Sequence, residues 1–116
     1  MEEEKFRKLV GEALDLLPLE FAEKLNNVSV VVEDFPTEAQ RKKLNLPSNV
    51  LLFGLYEGVP QIKRWYYSGV LPDKITIFKN SIEAVASTEE EIKNQVRSTV
   101  MHEIGHHFGL SEEELR

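Results

Sequence analysis

Late in the chain the residues read His102-Glu103-Ile104-Gly105-His106, with Gly109 and Glu112 following. On a helix, HExxH spacing sets two imidazoles one turn apart on the same face, where both reach one zinc ion. The glutamate between them lies beside the metal and can take a proton from a water held there. The chain contains only 3 histidines, and two of them fall at this spacing. These residues point to zinc held by His102 and His106, with Glu103 as the general base.

A catalytic zinc takes three protein ligands and keeps one position for water. The third is expected just past Gly109, a residue that tolerates a left-handed helix end and lets the chain double back. Glu112 is the natural candidate. It stands where one large class of zinc peptidases has its third histidine, and His₂Glu is a known catalytic ligand set. Glu113 and Glu114 are neighbouring alternatives, as are water or a ligand from another chain. Nickel, cobalt or copper could fill the same nitrogen-and-oxygen donors. His107 reads as a partly exposed histidine, with a hydrogen bond to Glu103 as the sharper alternative. Tyr56, Tyr66, Tyr67 and Arg64 read as packing or surface residues first and oxyanion donors second.

These groups need elements to position them. Ser87 or Thr88, with Glu90 or Glu91 three residues on, starts a helix by a capping box. Ile92, Val96 and Val100 give that helix an apolar stripe, and it should stop at Gly109. Upstream, Phe6, Leu9, Val10, Ala13 and Leu17 recur at helical spacing, so an amphipathic helix opens the fold. Pro18 interrupts it, and Leu19 to Leu25 forms a second short helix. Val28 to Val32 is a β-branched strand. Thr37 and Gln40 form a second capping box, for a short helix to about Lys43. Leu46 to Asn49 is a loop, and Val50 to Tyr56 reads as a strand ended by Gly58 and Pro60. Gln61 to Val70 is ambiguous, with Trp65, Tyr66 and Tyr67 favouring extended backbone. Pro72-Asp73 turns into a third strand, Lys74 to Phe78.

Composition bounds the setting. With 116 residues, 41% of them hydrophobic, a single domain over 1–116 with a modest core is expected. The 14 basic and 20 acidic residues leave a net charge of −6, which argues against nucleic acid as a partner. Arg41-Lys42-Lys43 and Lys63-Arg64 read as solvated faces. The chain has 0 cysteines, so thiolate zinc sites and disulfides are excluded. The acidic start Met1-Glu2-Glu3-Glu4 has the wrong sign for a signal peptide, and no apolar run reaches membrane-spanning length. A soluble cytoplasmic protein without membrane association is expected.

The run HEIGHHFGLSEEEL, preceded by GLYEGVPQIKR and LPDKITIF, resembles the small bacterial zincin-like metallopeptidases, sometimes called minimal zincins. The pattern HExxHxxGxx followed by an acidic residue matches His102, Glu103, His106, Gly109 and Glu112. The resemblance implies a three-layer α/β fold of the α+β kind, with a small mixed sheet packed by helices and carrying a C-terminal active-site helix. It implies a zinc peptidase acting on an extended peptide or protein, whose substrate lies along an exposed sheet edge such as Leu51 to Glu57. No methionine follows the motif and no later helix is expected, so the site should be shallow and open. Low or narrow activity follows. The alternative reading is a zinc-binding interaction protein that does not hydrolyse, or that needs a partner to complete its cleft.

Overall fold

The apolar spacing at the start of the chain does produce a helix. A computed structural model describes residues 1–58 and 72–109. There α1 (Glu3–Asp15) buries Phe6, Leu9, Val10 and Ala13 along one stripe. Pro18 stands at the entry to α2 (Leu19–Lys24), which buries Phe21. Strand β1 (Val28–Glu33) follows. Helix α3 (Glu38–Lys43) opens on the expected capping box. The Gln40 N–H donates to Thr37 Oγ1 at 3.0 Å, and the Thr37 N–H donates to Gln40 Oε1 at 2.9 Å.

Among the described residues, β1 joins strands β2 (Gly54–Glu57) and β3 (Asp73–Phe78) in a mixed sheet of order β1-β3-β2. β1 runs parallel to the central β3, and β2 runs antiparallel to it. Two helices follow, α4 (Lys79–Val85) and α5 (Glu89–His107). The architecture is α+β, a small mixed sheet packed with helices, of which α5 carries the HExxH residues.

The strand expected from Val50 to Tyr56 is shorter and shifted. Gly54 pairs with Ile77, and the Phe78 N–H donates to the Phe53 carbonyl at 2.9 Å. Beyond that point β3 has already turned into α4, so Val50 to Leu52 find no strand to pair with on that side. Helix α4 itself was not anticipated. Asn80 and Ser81 are weak helix formers, and the helix has no side-chain cap at Phe78. Burial of Ile82 and Ser81, rather than propensity, holds it. The ambiguous segment Gln61 to Val70, with Arg64, Trp65, Tyr66 and Tyr67, lies outside the described residues.

Helix α5 starts at the second of its two expected caps. Thr88 Oγ1 accepts the Glu91 N–H at 3.1 Å, while Glu91 Oε1 accepts the Thr88 N–H at 3.0 Å. Ser87 adds its own N–H and hydroxyl to the same carboxylate oxygen, each at 3.1 Å. The Ser87 and Thr88 donors hold the Glu91 carboxyl below the usual carboxylate range. The apolar stripe Ile92, Val96, Val100 and Ile104 then joins Phe6, Leu9 and Val10 of α1 and Ile75 and Ile77 of β3 in one core. Among the described residues no helix is long and apolar enough to cross a membrane.

Gly54 sets how closely β2 lies against α5. A Cβ there would stand 2.6 Å from Thr99 Cγ2 and 3.1 Å from the Thr76 carbonyl oxygen. Thr99 is buried and its Oγ1 accepts from Gln95 Nε2 at 3.3 Å, so turning its methyl aside would disturb packing and that contact. Gly54→Ala should destabilise the fold by about 1–3 kcal/mol, the usual range for overpacking. Adding Thr99→Ser, which removes Cγ2, should recover part of that loss. Thermal unfolding checks both; an unchanged midpoint in Gly54→Ala would show that the strand and helix separate without cost.

Candidate metal centre

Because Val100 and Ile104 point into the core with 0% exposure, the helical repeat turns His102, Glu103 and His106 toward another face. His102 is half-buried and His106 exposed. Their ring centroids lie 6.1 Å apart at an interplanar angle of 78°, close enough for one ion to contact a nitrogen of each. His102 Nδ1 lies 2.9 Å from the Ser98 carbonyl oxygen, one turn earlier. A carbonyl only accepts, so Nδ1 is the donor, and in the neutral ring that a metal requires, Nε2 is the nitrogen that carries the lone pair. Such a contact fixes both tautomer and ring orientation.

Glu103 lies half-buried between α5 and β2, and its Oε1 accepts the Tyr56 N–H at 2.9 Å. Strand register explains the contact. Phe53 hydrogen-bonds to Phe78, so alternation turns the N–H groups of Gly54 and Tyr56 away from β3 and toward α5. Burial pushes the Glu103 carboxyl above its usual range, against the Tyr56 N–H and the charges of His106 and His102, which pull it down. A carboxylate raised in this way is a better proton acceptor near neutral pH.

His107 does not take the hydrogen-bonding role considered for it. Its ring, exposed on one side, stacks on Tyr56 with centroids 3.9 Å apart and planes at 17°. The Tyr56 hydroxyl donates to Asp73 Oδ2 at 2.7 Å. Tyr56 therefore packs, and its hydroxyl is directed at Asp73 rather than at the cleft. A cleft of about 310 Å³ opens beside His102 and Glu103, walled by Leu51, Leu52 and Phe53 and floored by Gln95, Ser98 and Thr99.

The described residues thus bring His102, His106 and Glu103 onto one face. Among them no group of three His, Cys, Asp or Glu side chains could by itself hold a metal ion. Glu112, Glu113 and Glu114, where the third ligand was sought, lie outside the described residues, as do Arg64, Tyr66 and Tyr67. Two imidazoles, one with its tautomer fixed by Ser98, fit zinc as two of its three protein ligands. Sequence reasoning passed over Ser98 and Asp73. Ser98 was within reach of it, since the residue four before a helical histidine offers its carbonyl to that side chain. Asp73 carried no local signal, being brought to Tyr56 only by sheet pairing.

No curated protein matches this chain significantly. Among solved structures it is similar to a conserved hypothetical protein from T. thermophilus, with a TM-score of 0.59 and 23% identity. The match covers 93% of this chain and 94% of that one, and it supports the fold. A sequence model of zincin-like metallopeptidases matches residues 25–116, a span that holds β1, β2, β3 and α5. The chain belongs to the zincin-like metallopeptidase family.

Proposed function

We propose that this protein is a zinc-dependent peptidase of low or narrow activity, acting on extended peptides or on a particular protein. The observation that carries the reading is Glu103, a half-buried carboxylate held by the Tyr56 N–H and set between two histidines on one helix face. A purely structural metal site has no use for such a base. His102 and His106 would hold the ion with Glu112 as third ligand. Zinc, when bound, supplies a Lewis acid that polarises the scissile carbonyl and acidifies water. Glu103 accepts the water's proton and delivers it to the leaving amine. Gly54 turns its backbone polar groups toward the cleft, so an extended substrate would pair along the outer edge of β2. Among the described residues the cleft is walled by Leu51, Leu52 and Phe53, which favours apolar side chains in the substrate.

Elemental analysis of untagged protein tests the metal. About one zinc per chain is expected, as for a single three-ligand site, and His106→Ala should lose it. Absence of metal after zinc is offered at neutral pH would remove the peptidase reading. A second reading is favoured by how little of a wall the described residues give the cleft beyond Leu51 to Phe53. It is a zinc-binding interaction protein that lacks hydrolysis or needs a partner to close the site. Under that reading zinc removal costs stability or partner binding, and Glu103→Gln has no functional consequence.

A further inference from the structure

His106 sits in the last turn of α5, where helices fray and carbonyls lack intrahelical partners. The turn closes with the Phe108 N–H on the Ile104 carbonyl at 2.9 Å and the Gly109 N–H on the His106 carbonyl at 3.3 Å. Gly109 then leaves with φ +71°. A side chain that clamps the backbone of such a turn helps to fix where a histidine in it aims its ring.

The next residue supplies that clamp. His107 lies face to face with Tyr56 of β2, and the Phe108 ring stands edge-on to both, at 5.0 Å from His107 and 6.4 Å from Tyr56. The Lys24 ammonium covers the Phe108 ring at 5.5 Å. At its far end Tyr56 is anchored through its hydroxyl to Asp73 of β3. Gly58 lies beside both, where a Cβ would make ordinary contact with His107 Cε1 at 3.6 Å and Asp73 Oδ1 at 3.7 Å. One residue thus touches both halves of the chemistry: the Tyr56 N–H holds Glu103, and the Tyr56 ring holds the turn that carries His106.

We propose that Tyr56 and His107 form a splint that ties the last turn of α5 to β2 and thereby positions Glu103 and His106 together. The proposal rests on the metal-site reading above. Both are positioning residues, acting through their neighbours rather than on the substrate. The contact is between ring faces, so a phenylalanine at position 107 preserves it and an alanine removes it.

The test compares His107→Ala and His107→Phe with the unaltered chain by two measurements. Amide hydrogen exchange over residues 104–109 of the metal-free protein reads the splint itself. Zinc affinity, by competition with a chromophoric chelator, reads its effect on the site. His107→Ala should speed exchange in that turn about tenfold and weaken zinc roughly ten- to a hundredfold, the range for residues that orient metal ligands. His107→Phe should stay within about twofold of the original on both, because the stacked pair survives. Unchanged exchange in His107→Ala overturns the proposal. So does loss of zinc in His107→Phe with exchange intact, which would make His107 a ligand. Should His107→Ala fail to fold, Tyr56→Phe replaces it: removing the anchor to Asp73 should raise exchange in the same turn, and no change there overturns the splint. If the unaltered chain binds no zinc, the metal reading falls and exchange decides the splint.

Discussion

Replacing Glu103 by glutamine should lower peptide hydrolysis by roughly a hundred- to ten-thousandfold, the usual worth of a positioned acid–base group, with zinc still bound. The substitution is gentle where it needs to be. A glutamine Oε1 still accepts the Tyr56 N–H that now meets Glu103 at 2.9 Å, so β2 and α5 keep their spacing. What is lost is the capacity to take a proton. Turnover of a peptide library, measured beside metal content, gives the answer. Hydrolysis that survives in the metal-loaded variant would sink the proposed mechanism, whereas loss of turnover together with metal would mean that the substitution damaged the site.

Removing the side chain of Phe6 should cost about 3–5 kcal/mol of stability, the range for emptying a buried aromatic site. Phe6 is 0% exposed and lies in the core that α1 shares with the stripe of α5. The polar link between the two helices cannot compensate. Lys5 Nζ and Glu89 Oε2 are 2.8 Å apart, but both side chains are 55% exposed, and such pairs contribute little. The matched family span begins at residue 25, so this variant asks whether α1 is part of the structure that holds the active helix. Chemical denaturation decides it. A loss below about 1 kcal/mol, far under the range for such a cavity, would mean that α1 unfolds apart from α5.

Much of this was legible in the residues themselves. Phe6, Leu9, Val10 and Ala13 announced α1, and the Thr37–Gln40 and Thr88–Glu91 boxes marked two helix starts, because periodicity and capping are local. Strands β1 and β3 were equally plain from their β-branched runs. The start of β2 was not, since it depends on where its partner β3 ends. Nor was α4, which forms by packing against propensity. In the site, the HExxH spacing placed His102, Glu103 and His106 on one face. The link from Tyr56 to Glu103 was hidden, because it needs the register of β2 on β3 to turn one particular N–H outward.

That link has a consequence for how the molecule behaves in company. A sheet edge able to receive an extended peptide is also able to receive another copy of the same chain. Among the described residues β2 is an outer strand, yet it is only 4 residues long, and one of its outward N–H groups is already satisfied by Glu103. Self-pairing would have to displace that carboxylate and leave it half-buried without its donor. The residue proposed to activate water would thus also occupy a donor that self-association needs, and variants lacking an acceptor at position 103 are expected to carry a sheet edge more open to aggregation.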